Sequence, residues 1–280
     1  MGEIVKIVFL GTASAEGYPA SFCLCNRCSS ARRKGGRNLR ARSSICIDSE
    51  ILVDLPPEVY LRSLELGIEL GRIKYILITH SHEDHFYFYE LRLRRWPFVN
   101  GEVERLRIFG SDAVARLLRK HFRGELRNLK IRITALKPFK EIRTGAYGII
   151  PIPAVHSVKN RYETPLNYII RKEDRTLLYA CDSGPYSEKV LEFLKKLKLD
   201  AVIVEATMGI EGSHLWPYHM GFREVLAFRK WLIENIILGS SAPFVLTHFS
   251  HITCTLHEEM VRKLEPYGVT IAYDGYTFEI

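Results

Sequence analysis

Residues 79–85 read Thr-His-Ser-His-Glu-Asp-His, so His80, His82, Asp84 and His85 crowd into one short stretch directly after the apolar run Tyr75-Ile76-Leu77-Ile78. Imidazole and carboxylate are the usual ligands of borderline divalent ions such as zinc. Such a cluster at a strand end points to a metal centre in preference to a solvated turn. Single residues of the same types recur after later strand-like runs: His156 after 149–155, Asp182 after 177–181 and His248 after 244–247. Strand ends on one rim of a sheet bring their first loop residues together, so ligands distant in sequence can meet at one ion or two. The set divides into His80, His82 and His156 for one ion and Asp84, His85 and His248 for another, with Asp182 between them. Two cations bridged in this way lie about 3.5–4 Å apart, lower the pKa of a shared water and clamp a phosphoryl or carbonyl oxygen. The chemistry implied is hydrolysis.

A second group is Cys23, Cys25 and Cys28, spaced Cys-x-Cys-x-x-Cys, whereas Cys46, Cys181 and Cys254 stand alone among apolar or small residues. In an intracellular chain, clustered thiols serve metals or redox chemistry more often than disulfides, with hyperthermophile proteins the exception, and isolated cysteines are inert core residues.

The elements that must position these groups follow from patterning. The chain has 280 residues, 47% hydrophobic and 26% charged, enough for one large core, and a single domain is expected over 1–280. No run of about 18 uncharged apolar residues occurs, and the segment 4–10 contains Lys6 and lacks a cleavage pattern, so a cytoplasmic protein without a membrane span is expected. The absence of glutamine beside abundant Lys, Arg and Glu suggests a thermophilic source. A net charge of +8 favours an anionic partner or substrate, though only weakly. Strands are expected at 4–10, 44–47, 51–55, 75–79, 107–110, 131–136, 148–155, 168–171, 176–181, 201–205 and 244–247, and a closing hairpin of 269–272 with 277–280 around Asp274-Gly275. Helices are expected at 57–66, 111–121, 187–197, 222–235 and 257–264, with a long loop from about 13 to 42 carrying the cysteines and seven basic residues. Strands preceding helices in each half suggest two face-to-face sheets with helices outside.

With these residues in view, the chain resembles the metallo-β-lactamase superfamily, whose motif is His-x-His-x-Asp-His followed by His, Asp and His. The resemblance implies an α/β, four-layer αββα sandwich with His80, His82, Asp84, His85, His156, Asp182 and His248 as ligands of two divalent ions, zinc or manganese. Retention of Asp182 points toward binuclear hydrolases, many of them phosphodiesterases. A narrower similarity is to the phosphoribosyl cyclic phosphate phosphodiesterases of the carbon–phosphorus lyase pathway, which carry a Cys-x-Cys-x-x-Cys loop whose zinc is completed by a histidine three residues beyond the last active-site histidine. His251 stands at that spacing from His248, so Cys23, Cys25, Cys28 and His251 make a structural zinc site that staples the 13–42 loop. His219, after Pro217, resembles the histidine placed near the leaving group and is the expected general acid at the start of a helix, with His214 as competitor. Asp84 and Asp182 join it as catalytic residues.

The expected function is hydrolysis of a small cyclic or nucleotide-like phosphate ester by a metal-bridging hydroxide. Alternatives are a nuclease resembling tRNase Z, a protein like the pyrroloquinoline quinone biosynthesis B protein, and a metal-stabilised binding module. RNA binding to the basic loop is not favoured, and a homodimer is compatible with the sequence. Arg92, Arg94, Arg95 and Trp96, with residues 86–89, are expected either as a phosphate-binding pocket wall or as a packed helix with a basic face. Thr12, Ser183 and Tyr186 are further pocket candidates.

Overall fold

Runs of Val, Ile, Leu, Phe and Tyr with period-two alternation form the strands of a computed structural model that describes residues 4–210, 212 and 216–280. In chain order these are β1 (Lys6–Gly11), β2 (Ser44–Ile47), β3 (Ile51–Val53), β4 (Tyr75–Leu77), β5 (Leu106–Gly110), β6 (Ile131–Ala135), β7 (Ile142–Thr144), β8 (Tyr147–Pro153), β9 (Leu166–Lys172), β10 (Arg175–Ala180), β11 (Ala201–Glu205), β12 (Phe244–Thr247), β13 (Thr270–Ile271) and β14 (Thr277–Glu279). The helices are α1 (Asn26–Lys34), α2 (Val59–Glu65), α3 (Asp112–His121), α4 (Glu188–Leu194), α5 (Phe222–Glu234) and α6 (His257–Leu264). Two seven-stranded sheets result, ordered β14-β1-β2-β3-β4-β5-β6 and β13-β12-β11-β10-β9-β8-β7.

Because both faces of each sheet are buried, alternate residues of one strand serve different cores. In β10, Leu177 and Tyr179 point between the sheets, against Ile7, Phe9 and Phe109, while Leu178 and Ala180 point outward onto α4 and α5. Val59, Val114 and Leu118 cover the outer face of the first sheet. The result is the αββα sandwich expected from the sequence. Helix starts follow capping chemistry: Ser111 Oγ accepts the Val114 N–H at 3.2 Å to open α3, a contact type that contributes about 1 kcal/mol.

Two expectations fail. The final hairpin does not exist: Val245 pairs with Thr270 in the second sheet, while Lys6 pairs with Glu279 in the first, so residues 272–276 cross between sheets. Asp274 is drawn inward instead, accepting from Thr12 Oγ1 at 2.7 Å and Ala41 N at 2.6 Å. The cysteine segment is not all loop, because Cys25 caps α1, its sulfur receiving the Cys28 N–H.

Candidate metal centre

The parallel strands β3, β4, β10, β11 and β12 end on one rim, and the residues just beyond them face each other. Three leave the strand through left-handed backbone: Asp54 (φ 65°), Asp182 (φ 58°) and His248 (φ 60°). Each such non-glycine residue costs of the order of 1 kcal/mol or more, and strain of this kind gathers where a side chain must be re-aimed.

Buried partners fix the imidazoles. Asp54 accepts from Thr79 N at 2.8 Å and from His85 Nδ1 at 2.7 Å, which leaves the His85 Nε2 lone pair facing inward. Thr79 Oγ1, donating to Asp54, accepts from His80 Nδ1 at 3.0 Å. Thr207 Oγ1 does the same for His248 Nδ1 at 2.7 Å. These bonds select the tautomers with free Nε2 atoms.

Those free atoms converge. His80 Nε2 lies 2.9 Å from His82 Nδ1, and His156 Nε2 lies 3.2 Å from it. Ligand nitrogens around one tetrahedral zinc stand roughly 3.3 Å apart for bonds of about 2.0–2.1 Å. Asp182 Oδ2 is 3.3 Å from His80 Nε2, 3.2 Å from His85 Nε2 and 3.9 Å from His248 Nε2, and Asp84 Oδ2 is 3.2 Å from His85 Nε2. Three groups of ligand atoms on the rim are each mutually within 4.8 Å: His80, His82, His156 and Asp182; Asp84, His85, Asp182 and His248; and Glu205, His219 and His248. His85 Nε2, His156 Nδ1, His248 Nε2 and Asp182 Oδ1 are buried without a hydrogen bond. Orphaned buried donors and acceptors of this kind are costly unless an ion satisfies them, so the residues fit divalent metal.

The charges are tightly linked. Burial would raise the Asp182 carboxyl, but the imidazoles of His248 and His156, with His219 and His85 close by, hold it well below the carboxylate range. Asp84 is likewise held down, against its burial, chiefly by His85. Burial and His85 push His80 well down, and burial lowers His156, whereas Asp84 and Asp54 outweigh burial to raise His85.

A family model for the beta-lactamase superfamily domain matches residues 50–249, which contain all seven rim residues. The chain belongs to the beta-lactamase superfamily. Among solved structures, this superfamily member is similar over 100% of its length to a diphosphatase from the PhnP family, with 98% of that chain covered, 23% identity and a TM-score of 0.77. It is also similar to zinc-bound PqqB from Methylobacterium extorquens (98% and 100% covered, 16% identity, TM-score 0.75) and to the short form of human tRNase Z (98% and 98%, 17%, 0.66). No curated protein sequence matches the chain.

Beside the superfamily's rim motif stands His219, in a turn before α5 and not on the helix as expected, since the helix begins at Phe222. Its Nδ1 lies 3.1 Å from Asp182 Oδ1 and 3.2 Å from Glu205 Oε2. Burial lowers its pKa, but Glu205 and Asp182 prevail and raise it to about 11, above the neutral range expected from the sequence. Gly184 permits this approach, because a Cβ there would overlap the Pro217 carbonyl. The competitor His214 lies outside the described residues.

The three cysteines lie outside the stretch matched to the superfamily. Cys28 Sγ is 3.3 Å and Cys25 Sγ 3.8 Å from His251 Nδ1, and the donors of Cys23, Cys25, Cys28 and His251 lie mutually within 4.8 Å. Arg27 donates to the carbonyls of His251 and Ile252, tying the two loops together, and all six cysteines are free thiols.

Other expected pocket residues are elsewhere. Arg92 bonds His121 at 2.8 Å, Arg94 the Glu104 carbonyl and Arg95 the Glu125 carboxylate, while Trp96 is exposed. The segment forms a short 3₁₀ helix over Phe88–Leu93 in place of a full helix, and none of these four side chains lines the cleft beside His82. Thr12, Ser183 and Tyr186 are interior, bonded to Asp274, Gly184 O and Asn167. Sequence reasoning missed Asp54, Glu205 and Thr207. Each stands just beyond or at the last residue of a strand, the same signal that singled out Asp182.

Proposed function

We propose that the protein is a metal-dependent phosphodiesterase acting on a small cyclic or nucleotide-like phosphate ester. The observation that carries this is the set of buried, unpaired donor atoms on His85, His156, His248 and Asp182, converging from four strand ends beside an open cleft of about 540 Å³. Two divalent ions, zinc or manganese, held by His80, His82, His156 and Asp182 and by Asp84, His85, His248 and Asp182, would supply an activated water and electrostatic stabilisation of the phosphoryl oxygens. Asp182 belongs to both ligand groups. His219 carries a proton held by Glu205 and Asp182 and delivers it to the leaving oxygen, as general acid. Cys23, Cys25, Cys28 and His251 hold a third, structural zinc. The similarity to a PhnP-family diphosphatase supports phosphoester chemistry.

An endoribonuclease akin to tRNase Z is the second reading, favoured by the basic residues of 27–42. Several of these are already engaged, Arg32 with the Cys23 and Ala20 carbonyls and Arg40 in the interior, so fewer face solvent than the sequence suggests.

Metal analysis paired with hydrolysis of bis(p-nitrophenyl) phosphate tests the proposal. The native protein is expected to carry about three metals per chain. Asp182→Ala should lose rim metal and at least about 10³-fold in kcat. His219→Ala should lose about 10²-fold on an alkyl ester and much less on the p-nitrophenyl ester, whose leaving group needs no proton. One metal and no turnover would leave a metal-stabilised binding module as the better account.

A further inference from the structure

Buried acids stand behind the rim's ligands. Asp54 orients His85 through a 2.7 Å bond, and Glu205 accepts from Ser183 N and from Thr207, whose hydroxyl faces His248 Nδ1 at 2.7 Å. Glu163 is buried as well, only 7% exposed, yet it touches no metal-ligating side chain and forms no ion pair among the described residues.

Glu163 belongs to the loop between β8 and β9, the loop that carries His156. Both ends of this loop are tied down. Ala154 N donates to Pro165 O at 2.9 Å, Val155 N to Ser183 Oγ at 2.9 Å and Leu166 N to Thr79 O at 2.8 Å. Between these ends the Glu163 carboxylate reaches out of the loop. One oxygen accepts from Ser81 Oγ and the other from Ser111 Oγ at 3.2 Å. Ser111 can donate there because its oxygen lone pair receives the Val114 N–H that opens α3. Ser81 stands between His80 and His82, so one carboxylate joins the His156 loop, the histidine motif and the start of α3.

Two neutral hydroxyls satisfy the hydrogen bonds of a carboxylate but not its charge. An amide would accept from them equally well, without the cost of burying an anion. The two ligand groups assigned to the rim ions contain only two carboxylates, Asp84 and Asp182, so a pair of divalent ions would leave positive charge for a neighbouring anion to offset.

We propose that Glu163 is a positioning residue for the ion assigned to His80, His82, His156 and Asp182. It fixes the His156 loop against Ser81, so that His156 Nε2 and His82 Nδ1 keep their 3.2 Å approach before an ion arrives. The role rests on the rim's holding metal, as proposed above, and is independent of which ester is hydrolysed. Asp54 serves the other ion through His85, so the two ions depend on different outer acids.

The metal-loaded chain is challenged with rising concentrations of a chromophoric chelator, and the release of each ion is followed. In Glu163→Ala one rim ion should be held about 10–100-fold more weakly, with the second rim ion and the cysteine zinc at native affinity. Glu163→Gln, which keeps acceptors for both hydroxyls and removes the charge, should fall between the native protein and Glu163→Ala. Ser81→Ala should also weaken that ion, and combining it with Glu163→Ala should add little, as expected for two residues acting through one contact. A purely structural Glu163 would lower the thermal midpoint and leave every affinity native. That result overturns the proposal, as does equal weakening of both rim ions. Hydrolysis of bis(p-nitrophenyl) phosphate by the native protein is read in parallel. Absence of turnover with both rim ions bound removes the hydrolase reading, while the affinities still decide the role of Glu163.

Discussion

The rim cluster and the cysteine cluster both gather metal-ligating side chains, yet they are built in opposite ways. On the rim, His80, His85, Asp182 and His248 are almost wholly buried, and each orienting partner, Asp54, Thr79 or Thr207, is itself buried and bonded. In the cysteine cluster, Cys25 is exposed and Cys23 half-exposed, the backbone N–H contacts to the Cys23 and Cys25 sulfurs are long at 3.5 Å, and Glu16 approaches His251 no closer than 3.9 Å. The rim is thus organised by strand ends and outer hydrogen bonds before any ion arrives. The cysteine cluster has few tertiary partners to hold it, so an ion there would contribute directly to local folding.

Breaking the outer bonds should therefore matter most on the rim. Asp54→Asn keeps the size of the side chain but removes the charge that orients His85, and rim-metal affinity should fall about 10–100-fold, measured by competition with a chelating indicator. An unchanged affinity would mean that the strand ends alone position the ligands. The complementary change, Cys28→Ser, should release one metal per chain and leave the rim metals in place. Its thermal midpoint should drop by roughly 5–10 °C, since a loss of a few kcal/mol shifts a chain of this size by about 2–4 °C per kcal/mol. Full metal content in that variant would dismiss the structural site.

The smallest effect sharpens the contrast within the cysteine cluster. The Cys28 N–H and His251 lower the Cys25 thiol to about 6, whereas burial raises Cys28 to about 11. A depressed pKa leaves thiolate present above pH 6 and loses it below. In metal-free protein, alkylation at Cys25 should therefore be half-maximal near pH 6, while Cys28 stays unreactive until strongly basic pH. Zinc should protect both. Mass spectrometry of iodoacetamide-treated protein at pH 5 and pH 7 decides this, and equal labelling at the two values would contradict it.

Much of the site was legible because its chemistry is carried by residue types seldom placed together without a metal. His80 to His85 are adjacent in sequence, and His156, Asp182 and His248 each close a recognisable apolar run. Asp54, Glu205 and Thr207 escaped notice because a lone acid or threonine after a strand has many ordinary uses, and only proximity to an imidazole distinguishes these three. The arginines of 92–95 failed in the opposite direction. Their charge suggested phosphate, but in the fold they bond His121, the Glu104 carbonyl and Glu125.

By itself, the sequence determined the alternation that buries both faces of the strands, the donor types and the spacing of both metal-ligating groups, because these depend on local periodicity and side-chain chemistry. The tertiary structure alone decided that the last two strands separate onto different sheets, that His219 meets Glu205 and Asp182 ahead of its helix, and that Glu163 of the His156 loop reaches Ser81. Each of these brings together residues far apart in the chain, which depends on strand order and on how the two sheets stack.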